Sequence, residues 1–178
     1  MYRMPTTNHR LLLAARPVGI PGPVNFTADA IRARTPGPGE VLLETVYLSI
    51  DPAMRSWMSE QGLPLGEVMR GGGIARVLES RNEDLAPGDM VQARLGWQTH
   101  PTIAGRHLQK LDLTLGTAED WIGPLGLSAV TAYFGLRDIG GLRPNDRVLV
   151  SAAAGGVGQI AVQIARIEGC RVVGIAGG

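Results

Sequence analysis

A single cysteine, Cys170, is the only thiol in 178 residues. That count excludes an internal disulfide framework and any metal site built from several cysteines, and it fits a reducing compartment. No stretch reaches the length of apolar residues that a transmembrane helix needs, and the first residues lead into only a short apolar run, Leu11 to Ala15. An excess of one charge is missing too. Seventeen Lys and Arg against sixteen Asp and Glu leave a formal charge of +1. The cations are scattered singly, so neither nucleic acid nor an acidic membrane is predicted as a partner. There is no internal repeat. The expectation is a soluble, cytoplasmic protein.

What is present is a glycine- and proline-rich pattern, 25 and 12 residues, spread over separate turns between apolar segments. Up to about residue 115 short β-prone runs alternate with turn signals, a spacing that predicts a small all-β barrel or sandwich. The runs include Leu11 to Ala14, Val41 to Ile50, Ile74 to Glu79 and Met90 to Ala93. Turns are signalled at Pro36 to Gly39 and at Pro87 to Asp89. Between Asp51 and Met58 the pattern breaks, and Asp51 followed by Pro52 reads as a helix N-cap with proline at the first helical position. His9 is read as part of an N-terminal tail, and His100 and His107 as ordinary loop or strand-end histidines.

From about residue 120 the character changes. Ser128 to Arg137 has apolar residues at helical spacing, ended by Gly140 and Gly141. Arg147 to Val150 is an apolar run of the kind buried in parallel sheets. A glycine-rich turn follows, then a helix from about Val157 to Glu168 and a strand from Cys170 to Ile175. The sum is one βαβ unit.

In the turn, Ala153, Gly155 and Gly158 stand at the three positions of the G-x-G-x-x-G fingerprint, with alanine in the first. The first position makes the tight turn, the second lets a pyrophosphate approach the backbone, and the third lets the helix pack on the sheet. Unpaired N–H groups at the helix start and the helix dipole attract the phosphates. The strand before, the helix after and the second strand supply the context that a lone glycine motif lacks. Gly174 to Gly178 offers no carboxylate for a ribose 2′-hydroxyl, which favours NADP over NAD.

The stretches Ile50 to Arg55, Gly96 to His100, Thr131 to Gly135, Val150 to Gly158 and Gly169 to Gly174 resemble, in order, the medium-chain dehydrogenase/reductase superfamily. The similarity is to its zinc-independent branch of prostaglandin reductases, leukotriene hydroxydehydrogenases and alkenal and curcumin reductases. The resemblance implies a GroES-like β-barrel (1–122) followed by the start of an NADP-binding Rossmann domain (123–178). It implies reduction of the double bond of α,β-unsaturated ketones or aldehydes, with NADPH as hydride donor, and a homodimer in the full-length form. Gly155, Gly156, Val157 and Gly158 are the implied pyrophosphate contacts, beside Ala153 in the turn, with Thr131 near the nicotinamide. Asp51 and Arg55 are implied in the cleft wall. Relatives often carry an aromatic residue at Ala53 and a Pro-Gly pair at Ser128 and Ala129, so a differently shaped substrate pocket is expected. One cysteine excludes the cysteine-ligated zinc sites of the metal-dependent cousins.

A complete dinucleotide domain has about six parallel strands, and this sequence supplies two. The expectation is therefore an N-terminal fragment, inactive alone, in which no residue is assigned as proton donor. Two alternatives stay open: a quinone reductase of the same superfamily, and a non-catalytic barrel module that binds a protein partner.

Overall fold

The computed structural model describes residues 7–177. They form two compact units that divide between Asp112 and Leu113.

In the first unit β1 (Thr7–Leu13) and β2 (Phe26–Arg32) make an antiparallel pair. A second, five-stranded antiparallel sheet contains β3 (Glu40–Leu48), β4 (Gly72–Ser80), β5 (Met90–Arg94), β6 (Thr102–Ala104) and β7 (Gln109–Lys110), in the order β6-β3-β4-β5-β7. The segment after β5 ties the two sheets together. The Leu11 amide donates to the Trp97 carbonyl, the Thr99 amide to His9 and the Thr45 amide to Thr99. Register shifts in β3 between Leu42 and Leu43, and between Thr45 and Tyr47, add the local twist that curls the five strands into a half-barrel. Val41, Leu43, Ala75, Val77, Val91 and Leu95 fill its interior, and Leu13, Met54, Met58, Leu63 and Met69 form a second cluster.

Three readings of this region are corrected. His9 is no tail residue: it pairs with Ala30 inside β1, and its amide donates to Thr99 Oγ1 at 2.9 Å. Asp51 does not cap a helix. The short helix α1 (Met54–Trp57) starts after Ala53, and the Asp51 carboxylate accepts a hydrogen bond from Ser49 Oγ at 2.7 Å. Asp51 instead closes the turn with its main chain, its carbonyl accepting from the Met54 amide. The run that starts at Val41 ends as a strand at Leu48, short of Ile50.

The second unit opens with α2 (Ala118–Ile122), held by a box in which Thr117 Oγ1 accepts from the Asp120 amide while the Thr117 amide donates to the Asp120 carboxylate. Helix α3 (Leu127–Phe134) continues into a π-helical turn over Gly135–Ile139. Then β8 (Arg147–Val150), α4 (Gly156–Ile167) and β9 (Arg171–Gly174) complete a βαβ unit, with β8 and β9 parallel and Val150 opposite Gly174. Helix α4 buries Gly158, Ala161 and Ala165, a stripe of small residues at spacings of three and four that lets it lie close to its neighbours. Cys170 sits just outside β9, its thiol donating to the Arg143 carbonyl at 3.2 Å. No helix among the described residues is long and apolar enough to cross a membrane.

Candidate functional site

Between β8 and α4 the chain must reverse within a few residues, and it does so by placing Ala152 in the left-handed region at φ 48°. Main-chain hydrogen bonds fix the turn. The Ala153 amide donates to the Ile175 carbonyl, the Ile175 amide to Val150, and the Gly155 amide to Ala152, all at 2.8 to 2.9 Å. The turn is thus a continuation of the β8–β9 pairing rather than a free loop.

Each glycine of the motif has a steric reason. A Cβ on Gly158 would lie 2.1 Å from the Ala152 carbonyl oxygen, so only glycine lets α4 seat against the turn. A Cβ on Gly155 would stand 3.1 Å from the same oxygen, and one on Gly156 would stand 3.2 Å from Ser128 Oγ. The alanine at the first fingerprint position is explained by a partner the motif does not contain. Gly174 of β9 faces it, and a Cβ there would be 2.7 Å from the Ala153 methyl. The glycine that the fingerprint usually places in the turn is here supplied across the sheet.

Gly155 is the N-cap of the twelve-residue α4 and supplies no side-chain cap. The first-turn amides of Gly156, Val157 and Gly158 therefore lack the side-chain acceptor that an N-cap serine or aspartate would give, in the positive field of the helix start. The Gly155 amide does not join them, because Ala152 already accepts from it. An anionic diphosphate fits this cradle: it needs close backbone approach and donors, and a Cβ at Gly155 would narrow the cradle.

Helix α3 meets α4 at Ser128 and Gly156. One turn along α3, Thr131 is exposed, its hydroxyl donating to the Leu127 carbonyl at 2.8 Å. The structure thus brings Ala153, Gly155, Gly156, Val157, Gly158 and the helix that carries Thr131 into one unit. Asp51 and Arg55 belong to the other unit. Arg55 there spends its guanidinium on the chain, with Nε donating to the Gly19 carbonyl and Nη2 to Pro17, both at 2.9 Å. The contacts that Ser128, Ala152 and Gly174 make were not read from the sequence; the only signal for them is small size at a chain crossing.

Of the histidines, His100 is held below the ordinary imidazole range chiefly by burial, against the opposing effects of Glu44 and the Thr7 main chain. Its Nδ1 lies 2.9 Å from Thr99 Oγ1. Among the described residues no group of three or more His, Cys, Asp or Glu is placed to hold a metal ion.

A curled antiparallel half-barrel followed by strand, glycine turn, helix and strand is the front of a medium-chain dehydrogenase/reductase. Residues 9–111 match the family described as the N-terminal domain of oxidoreductase, and the chain belongs to that family, in the zinc-independent part of the superfamily. It is 44% identical over 176 residues to an NADPH-dependent curcumin reductase of Escherichia coli (strain K12), covering 96% of this chain and 51% of that protein. It is 42% identical over 170 residues to prostaglandin reductase 1 of Sus scrofa, covering 90% and 49%. The crystal structure of CurA from Vibrio vulnificus in complex with NADPH superposes with a TM-score of 0.88 at 39% identity, over 96% of this chain and 52% of that one. The chain spans about half the length of the curated relatives it matches.

Proposed function

We propose that this chain is the front part of an NADPH-dependent oxidoreductase that reduces the carbon–carbon double bond of α,β-unsaturated ketones or aldehydes. The observation that carries the reading is the glycine turn. Gly158 seats α4 on Ala152, and Gly155 leaves the helix start open, in a chain similar to an NADPH-dependent curcumin reductase and to a CurA structure that holds NADPH.

The amides of Gly156, Val157 and Gly158 and the α4 dipole hold the pyrophosphate, while Ala153 and Gly155 keep the turn narrow and its approach clear. Thr131 lines the nicotinamide side. Bound NADPH supplies a hydride to the β-carbon of the alkene. Asp51 and Arg55 contribute to the wall of the substrate cleft, Arg55 by fixing the 17–19 loop through its two carbonyl contacts. The end of β9 at Gly174 and the residues after it bring no carboxylate that would repel a 2′-phosphate. The domain assignment 1–122 and 123–178 and a homodimer of the whole protein belong to the same reading, with a small-molecule enone as partner and a cytoplasmic setting.

The test is steady-state turnover of the whole protein that carries this chain, with methyl vinyl ketone and with a benzoquinone, following nicotinamide absorbance and identifying the product. Formation of the saturated ketone with preference for NADPH over NADH supports the proposal. Turnover of the quinone alone replaces it with a quinone reductase, and absence of both removes the enzyme reading.

A further inference from the structure

Among the described residues of the first unit, Arg10 pairs with Asp29, Arg34 with Glu40, Arg76 with Glu44 and Lys110 with Asp89. Arg16 and Arg55 donate to backbone carbonyls. Arg94 at the end of β5 and Arg106 in the turn before β7 have no carboxylate partner among the described residues, yet both line one open groove of about 430 Å³. His107 borders the same groove, as do Gln92 and Gln109, which face each other across β5 and β7. Among the described residues no carboxylate lines it. The floor is open at Gly72, opposite Arg94 in the β4–β5 register, where an added Cβ would meet only the Ala93 carbonyl oxygen, at 3.9 Å.

Arg94 and Arg106 bring two cationic side chains to one open concavity whose described lining residues include no carboxylate, an arrangement that an anion complements. The charged groups here are all cationic, and the glutamine amides add N–H donors, so the lining is built to donate. A dianion balances two guanidinium charges where a single carboxylate would not. The planar fork of arginine also matches the oxygens of a phosphate in pairs. A neighbouring cavity of about 270 Å³, which Arg94 also borders, contains Arg34, but Glu40 already holds that guanidinium through both carboxylate oxygens. The uncompensated charge is therefore on the Arg106 side.

We propose that the groove formed by Arg94, Arg106 and His107 binds a phosphate dianion, either as inorganic phosphate or as the phosphomonoester end of a small molecule. The site uses residues of the first unit alone and does not depend on the proposed reaction.

The experiment is a titration of the whole protein that carries this chain with inorganic phosphate and with phenyl phosphate, read by ¹H–¹⁵N NMR. Saturable shifts at Arg94, Arg106 and His107 are expected; tighter binding of phenyl phosphate identifies the phosphomonoester, and equal binding the free ion. Arg94→Gln and Arg106→Gln should each weaken binding about tenfold, the loss of charge-assisted hydrogen bonds. Arg81→Gln, at an exposed arginine outside the groove, should leave it unchanged. Shifts confined to Gly156 and Val157 would overturn the proposal by placing the anion at the helix start. Equal weakening by all three arginine substitutions would overturn it as well, since only overall charge would then matter.

Discussion

Gly158 of α4 lies against Ala152 of the preceding turn so closely that a Cβ on the glycine would be 2.1 Å from the alanine carbonyl oxygen. Alanine normally favours a helix over glycine by up to about 1 kcal/mol. At this position the clash outweighs that gain, because the contact is with backbone that the β8–β9 pairing holds in place. Gly158→Ala should destabilise the second unit by roughly 1–3 kcal/mol, the usual cost of overpacking. Gly135→Ala is the internal contrast. Gly135 has φ −59° and a Cβ there meets nothing within 4 Å, so that substitution should be neutral or slightly stabilising. Urea unfolding of the two variants should move the midpoint in opposite directions, or move it only for Gly158→Ala.

Glu40 joins three pieces of the half-barrel. Its carboxylate accepts from both terminal nitrogens of Arg34 and from the Gly37 amide at 2.9 Å. The Arg34 guanidinium, followed by the Gly37 amide, holds the Glu40 carboxyl at about 2, down from 4.5. Because the folded value is depressed, the stabilisation is fully present above the ordinary value of 4.5 and is lost as pH falls toward about 2. The expected outcome is a fall in the thermal midpoint across that acid window. Glu40→Gln should lower stability at neutral pH and flatten the same part of the profile.

Leu43 is fully buried in the main core of the half-barrel, next to Val41, Val77 and Val91. Removing its side chain exposes no polar group and leaves a cavity among strands that cannot easily collapse. Leu43→Ala should cost roughly 2–5 kcal/mol. Val46, on the same strand, is about one-third exposed at 36% and lies outside that core. Val46→Ala should cost well under half as much, and equilibrium denaturation of both checks the inward-facing register of β3.

Strands with a continuous apolar run or a clear alternation were legible in the sequence: β3, β4 and β5 carry their burial in their residue order. The apolar run of β8 marked a strand but not its burial: Leu149 is 67% exposed, and Val148 and Val150 are only half-buried, where a strand buried in a parallel sheet was expected. Strand β2 was not, because most of its residues are exposed and its pairing with β1 is made by the main chain. Strands β6 and β7 are three and two residues long, too short for any period to register. Asp51 with Pro52 carried a genuine cap signal, yet the Ser49 hydroxyl takes the carboxylate and the helix starts later. At the site, the packing role of Gly158 could be read from spacing, since the fingerprint encodes a local turn. The roles of Gly174 and Ser128 could not, because each is defined by a contact with a residue distant in sequence.

The last prediction concerns Gly155, the N-cap of α4. Valine there would project a branched Cβ at the mouth of the helix, where a diphosphate must approach the Gly156 and Val157 amides. The Cβ would also stand 3.1 Å from the Ala152 carbonyl oxygen, a tight distance that a small adjustment of the turn accommodates. The expected result for Gly155→Val in the whole protein is a loss of roughly 2 kcal/mol in NADPH affinity, about thirtyfold, from the clash and from hydrogen bonds left unmade. Folding of the half-barrel should be unchanged, because its core clusters contain no residue of the turn. NADPH titration by tryptophan fluorescence measures the affinity, and circular dichroism in urea measures the fold. Normal affinity in a folded Gly155→Val variant would mean that the turn is only a connection between β8 and α4. Lost affinity together with lost secondary structure would mean that Gly155 serves packing alone. Lost affinity in a folded protein is the outcome that the open helix start requires.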